Sequence, residues 1–204
     1  MSKAVMISIR PRWCELIAAG EKTMEVRKTR PKLETPFKCY IYCTSGNDKL
    51  WIADAVRRNW WGNTHVAHLC NAKNCGGMNL GNRKVIGEFV CDRIDRLVRI
   101  GCTGSTEKQR YRTVDDWQNA HNISRLLESA CLTEGELETY LKGDTGFGWH
   151  ISDLKIYSRP VDIANFHSCL GCEYVGDCDT YCWDPVRIPP QSWRYVEQNE
   201  GVLN

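Results

Sequence analysis

The chain of 204 residues holds no apolar run approaching the length of a membrane span. Its first residues, Met1 to Pro11, contain neither an apolar core segment nor a small-residue cleavage site. Export is therefore not expected, and a cytoplasmic location is. There is no internal repeat and no low-complexity tract, which sets aside a repeat array. Strand and helix patterns do not alternate regularly, which argues against a doubly wound sheet. Net charge is also scarce, at +2, so the total alone points to no particular partner. What is present is an ordinary globular composition, 42% hydrophobic and 25% charged. The length suffices for one good core, or a core with an appendage.

The charge is unevenly spread. Residues 1–32 hold eight Lys or Arg (Lys3, Arg10, Arg12, Lys22, Arg27, Lys28, Arg30 and Lys32) against Glu15, Glu21 and Glu25, and the remainder is slightly acidic. Such a stretch is either a solvated surface or a patch that meets an anion such as a phosphate backbone.

Residues 5–9 read as a short buried strand. Pro11 suits the first turn of a helix, where its missing N–H costs nothing. Trp13, Leu16 and Ile17 follow at helical spacing, and Gly20 is placed to end the helix. From Thr23 the period changes to two, with Thr23, Glu25 and Arg27 on one face and Met24 and Val26 on the other. Residues 37–43, 84–98 and 147–157 read as further strands, and 44–83 as irregular, broken repeatedly by Gly and Asn. Residues 114–142 read as two helical pieces, the second with Thr133 as N-cap, Glu136 completing a capping box, and a stop at Gly143.

Lys22, Glu25 and Arg27 place a carboxylate between two cations. That is either a structural ion-pair ladder or a site that polarises a ligand. Lys22 also suits the C-terminal carbonyls of the helix that precedes it. Glu88 alternates with Ile86 and Val90, so it reads either as an acid on an apolar strand face or as an edge-of-core glutamate reaching solvent. Trp13 is a core residue of its helix or a stacking face, and Arg57-Arg58-Asn59-Trp60-Trp61 combines cations with aromatic faces suited to single-stranded nucleic acid. His150, between Trp149 and Ile151, reads as a hydrogen-bonded structural histidine.

The run Gly20-x-Lys22-x-x-Glu25-x-Arg27, after a strand and a helix with an early aromatic, resembles the defining motif of ASCH domains. In the same order, Lys84 to Phe89 is similar to that family's central strand and Gly148 to Leu154 to its closing strand. Pro189-Pro190-Gln191-Ser192-Trp193 resembles a tail of phage-associated members. The resemblance implies a PUA-like β-barrel, here an α+β fold of about five to six strands with surrounding helices, to which the sequence beyond Pro160 adds a Cys-rich C-terminal loop. The barrel domain would span residues 1–160, with insertions at 44–83 and 101–142, and residues 161–204 would be a Cys-rich appendage packing on it. It further implies a basic cleft for RNA or a modified nucleotide, with Arg10, Trp13, Lys22, Arg27, Lys28 and Arg30 as binding residues. Some bacterial ASCH proteins remove the acetyl group from N4-acetylcytidine using a lysine, a threonine three residues later and a distant glutamate. Lys22 matches the lysine, but Glu25 stands in the threonine's place. A hydrolase would then use Lys22, Glu25 and Glu88, with water as nucleophile. A third reading is a protein-interaction module whose basic face meets an acidic partner.

Twelve cysteines are many for a chain of this length. Eight are scattered, several within apolar stretches where a free thiol acts as a small hydrophobe. The other four, Cys169, Cys172, Cys178 and Cys182, lie in a loop short of core-forming residues. Four thiolates suit tetrahedral structural zinc, with His167 as a spare ligand; an iron–sulfur cluster would use the same atoms, and four reduced thiols without metal are the third alternative. His65, His68, Cys70 and Cys75 form a second, looser set.

Overall fold

The computed structural model describes residues 3–59, 62–69, 78–99, 111–113, 123–169 and 183–198. Within them the chain runs through β1 (Lys3–Ile9), α1 (Pro11–Ala18), β2 (Met24–Arg27), β3 (Phe37–Cys43), β4 (Trp51–Asn59), β5 (Gly62–Leu69), β6 (Met78–Leu80), β7 (Lys84–Cys91), β8 (Ile94–Arg99) and β9 (Tyr111–Thr113). It continues with α2 (Ile123–Ala130), α3 (Glu134–Leu141), β10 (Gly146–His150), β11 (Ser152–Val161), a short 3-10 turn at Ile163–Asn165, β12 (His167–Cys169), β13 (Trp183–Pro185) and β14 (Trp193–Glu197). The protein is mostly sheet with three α-helices among the described residues. None of those helices is long and apolar enough to cross a membrane.

A five-stranded sheet has the order β11-β7-β3-β1-β14, and a four-stranded sheet the order β2-β10-β8-β9. The chain passes directly between them twice, from β7 to β8 and from β10 to β11, so the sheets share a corner. At that corner the His150 N–H donates to the Arg93 carbonyl and the Ile151 N–H to that of Thr23. The stretches read from sequence as continuous strands, 84–98 and 147–157, are each folded across this corner, and Asp153 beside it takes a left-handed φ of 46°.

Among the described residues the ladders do not close into a barrel. Opposite the corner, β2 is an edge strand, and side chains span the seam between it and the five-stranded sheet. Arg27 donates from Nη2 to the Ser8 carbonyl at 2.6 Å, the Trp193 indole N–H to Thr29 Oγ1 at 3.0 Å, and the Lys32 N–H to the Tyr195 hydroxyl at 2.8 Å.

Strand alternation on β1 separates two cores on the faces of the five-stranded sheet. Val5, Ile7 and Ile9 join Cys39, Ile41, Phe89 and Trp149, whereas Ala4 and Met6 join Tyr40, Tyr42, Tyr157 and Phe166. A third cluster packs α2 and α3 on the four-stranded sheet through Met24, Val26, Leu97, Leu126, Leu137 and Leu141. The capping box read from sequence is present in full, and Lys142 (φ 56°) and Gly143 (φ 85°) turn the chain out of α3. Gly146 and Gly148 leave room on β10 for Leu141 and for the Met24 and Leu126 side chains.

Two expectations are corrected. Residues 44–83 are not irregular throughout: among the described residues β4 pairs with β5 from Ile52 to Asn59 and at its start with β6, in a separate three-stranded sheet. Asn59, Gly62 and Asn63 fall within the β4–β5 ladder, whose pairing, rather than local propensity, holds the strands. The other concerns Glu88. The β3–β7 register slips between Ile41 and Tyr42, which oppose Gly87 and Val85, so Ile86 is an extra, bulged residue. Ile86 therefore turns into the core with Phe89, and Glu88 shares its face with Val85, Tyr40 and Tyr157 instead of with Ile86.

Cys14, Cys39, Cys43 and Cys91 are buried free thiols, and Cys131 is half-buried. Burial pushes the Cys14 and Cys39 thiols well above their ordinary value, and burial, reinforced by the Asp92 charge, takes Cys91 up to about 12. A protonated thiol is a poor nucleophile and a poor metal ligand, so these cysteines act as core hydrophobes.

Candidate functional site

The turn after α1 builds the site. The Gly20 N–H donates to Ile17, and the Glu21 and Lys22 N–H groups both donate to the Leu16 carbonyl. Gly20 supports this with a φ of 78°. Lys22 is thereby turned inward and is only 2% exposed. The next residues enter β2, where Met24 and Val26 face the third core while Glu25 and Arg27 join Lys22. Thr23 is exposed, and its backbone is held by Ser129 and Ile151.

The three side chains form a chain of ion pairs. Lys22 Nζ lies 3.3 Å from Glu25 Oε2, and Arg27 Nη2 lies 3.0 Å from Glu25 Oε1. Both carboxylate oxygens are thus engaged, and all three side chains are at least nine-tenths buried. Lys22 Nζ also donates to the Ala130 carbonyl at 2.6 Å and sits 5.1 Å from the centre of the Trp13 ring. The helix end that the lysine serves is therefore the C-terminus of α2, not that of α1. Trp13 carries a second cation, the Arg12 guanidinium, at 4.8 Å, so its ring is a support for charge as well as a packing surface.

One donor in this network is idle. Arg27 Nη2 serves both Glu25 and the Ser8 carbonyl, but Arg27 Nε is buried with no hydrogen-bond partner. The indole N–H of Trp149 is likewise buried and unpartnered, and Trp149 lies directly opposite Glu25 in the β2–β10 ladder. Unpartnered buried donors are rare in native proteins.

The network lines a cleft of about 400 Å³, within the range of small-ligand sites. Arg10, just before α1, and Trp13 within it reach the cleft, as do Ser8, Thr44, Gln191 and Ser192 from the five-stranded sheet and its loops. Leu132, Glu136 and Tyr140 form a wall from α3 and the turn before it. Tyr140 lies against the Arg27 guanidinium, and burial raises its phenol above the ordinary value even against that charge, so it stays protonated. Glu136 is held below its ordinary value by its capping bonds to Thr133.

Of the residues singled out in the sequence, Arg10, Trp13, Lys22, Glu25 and Arg27 come together here. Lys28 lies outside the lining, near the Tyr140 ring at 5.9 Å, and Arg30 borders a second groove with Arg93 and Asp95. Glu88 does not line the cleft; it accepts from the Tyr157 hydroxyl at 2.6 Å and pairs with Lys38 at 3.4 Å on the opposite face of the sheet. His150 bonds Asp92 at 2.6 Å through Nδ1, away from the cleft. Cys172, Cys178 and Cys182 lie outside the described residues, as do Trp60 and Trp61. The described residues hold no cluster able to take a metal ion. Tyr140, Thr44 and Ser8 carried no local signal, because each reaches the cleft from an element distant in sequence.

No family model matches the chain, and no curated protein does. Among solved structures it is similar to the crystal structure of ASCH from Zymomonas mobilis, at 14% identity and a TM-score of 0.48, covering 96% of this chain and 88% of that one. Two point mutants of the same protein match at the same identity and score, with coverage of 97% and 92% for one and 96% and 89% for the other. Likeness of this degree does not fix a shared fold, and the site stands on its own geometry.

Glu25 is the only anion of the buried network, so its loss leaves two adjacent cations. Glu25→Gln is expected to cost about 3–5 kcal/mol of unfolding free energy. Lys22→Met keeps one balanced pair and should cost less, roughly 1–3 kcal/mol, mostly for the orphaned Ala130 carbonyl. Urea unfolding of the two variants checks this, and equal losses would contradict it.

Proposed function

We propose that this protein binds RNA or a modified nucleotide in the cleft above Lys22, Glu25 and Arg27. The observation that carries this reading is the charge of the cleft: two buried cations meet one buried carboxylate, the whole lining holds Arg10, Lys22 and Arg27 against Glu25 and Glu136, and Arg27 retains an idle donor. Arg10 at the rim, and Lys28 and Arg30 beyond it, extend the positive surface along which a phosphate backbone could run. The resemblance of Gly20 to Arg27 to the ASCH motif agrees with this reading. In this proposal the two sheets are the halves of a PUA-like barrel, with its seam closed by Arg27, Trp193 and Tyr195. Free thiols at Cys14, Cys39, Cys43, Cys91 and Cys131 suit a reducing, intracellular setting.

A second reading, hydrolysis of an amide on a modified nucleoside or of RNA, is favoured by one observation. Thr44 brings a hydroxyl to the cleft that holds Lys22, although no hydroxyl stands three residues after that lysine. Glu25, bonded through both oxygens, is a positioning group for the cations rather than a free base, and Glu88 is on the wrong face to serve.

We also propose structural zinc at Cys169, Cys172, Cys178 and Cys182. In support, β12 and β13 pair Cys169 with Trp183, so the cysteine-rich stretch starts and finishes at one ladder. Metal analysis of purified protein should find about one zinc per chain, lost on Cys178→Ser; full occupancy in that variant would remove the proposal.

Fluorescence anisotropy with RNA oligonucleotides should show affinity falling linearly with salt on logarithmic axes, by roughly 0.7 per phosphate contact for a single strand. Lys22→Ala should weaken binding at every salt concentration. Salt-independent binding, or none at low salt, would leave an interaction with an acidic protein as the better reading. Incubation with N4-acetylcytidine, read by mass spectrometry, separates the second reading: deacetylation that stops in Lys22→Ala and Thr44→Val would make the protein an enzyme.

A further inference from the structure

A nucleotide could enter the cleft in two ways, with its base inward and its phosphate outside, or the reverse. The charges decide between them. The cleft is lined by Arg10, Lys22 and Arg27 against Glu25 and Glu136, and only Glu25 pairs with the two buried cations, so about one positive charge is left for a ligand to balance. A neutral base does not balance it.

The hydrogen bonds agree. Arg27 is 8% exposed, and its guanidinium is held from two sides by Glu25 and the Ser8 carbonyl through Nη2. The buried group without a partner here is a donor, Arg27 Nε, while each oxygen of Glu25 already meets one cation. A phosphate, which presents acceptors only, suits the idle donor, whereas a base edge that also presents donors would have to share the Glu25 oxygens with two cations. Tyr140, protonated and set against Arg27, adds a hydroxyl that can donate to the same group.

We infer that the cleft floor is a phosphate subsite, in which Arg27 Nε donates to an oxygen of a phosphate monoester or of inorganic phosphate, and the nucleoside points outward past Tyr140. This rests on the proposed nucleotide-binding function and specifies which end of the nucleotide is buried. Tyr140, 40% exposed at the mouth, then offers its ring to the base.

Isothermal titration of the purified protein with the four ribonucleosides, their 5′- and 3′-monophosphates and inorganic phosphate tests the inference. At least one monophosphate should bind about tenfold or more tighter than its nucleoside. Inorganic phosphate binding as tightly as any monophosphate would keep the subsite and identify free phosphate as its source. Arg27→Lys keeps the charge and removes Nε, and should abolish the preference for monophosphate over nucleoside while the protein still melts cooperatively. The comparison among ligands on the unsubstituted protein stands even where that variant fails to fold. Nucleosides binding as tightly as monophosphates, or a preference that survives Arg27→Lys, would overturn the inference. Silence from every small ligand would overturn it too, and RNA binding in the same preparation would show that the broader reading survives.

Discussion

The buried carboxylate of Glu25 is the constraint on which the rest of the site depends. Removing a lysine, an arginine and a glutamate from water is expensive, and only close mutual pairing makes it tolerable. Here the pairing ties together parts of the chain that no backbone ladder joins. Lys22 holds the end of α2, Arg27 holds β1 through the Ser8 carbonyl, and Glu25 holds both. The polar network thus does at the seam what hydrogen-bonded strands do at the opposite corner. A hydrophobic substitute of equal volume could fill the space, but it could not also satisfy the Ala130 and Ser8 carbonyls.

The same arrangement explains why the cleft lies where it does. A sheet edge brought close to a second sheet without pairing leaves a gap, and the gap is lined by whatever side chains bridge it. The neighbouring bridges, Trp193 to Thr29 and Tyr195 to Lys32, are aromatic groups with one polar tip each, and they close the part of the seam beyond the cleft. Arg27 keeps a buried nitrogen, Nε, with no partner at all. The opening is thus a consequence of how the sheets meet, and its chemistry is a consequence of which residues span it.

Much of this was legible in the sequence where the information is local. The helix from Pro11 to Gly20, the change of period at Thr23, the strand at 37–43 and the capping box at Thr133 and Glu136 follow from dihedral preferences and side-chain spacing. The triad was legible for the same reason, since three residues in six positions share one turn and one strand. What local pattern could not convey was long-range pairing. The hairpin of β4 and β5 depends on strands finding each other, and the bulge at Ile86, visible only in the register with β3, moved Glu88 to the other face. Tyr140 and Thr44 belong to the cleft through packing of elements distant in sequence. Of the two readings of the triad, the ion-pair ladder is present, buried rather than exposed, and the ligand site is the proposal built on it.

Lys22 gives the fold a property beyond adhesion. An ammonium has three hydrogens, and the Ala130 carbonyl and Glu25 occupy two of them. An occupant of the cleft that takes the third leaves α2 in place; one that competes for the bond to Ala130 loosens the helix pair that walls the cleft. In the latter case the docking of residues 123–141 and the affinity for the occupant are linked quantities, and each must change the other by the same factor. The lysine then acts as a latch as well as a contact, and the steadiness of the wall reports what lies behind it.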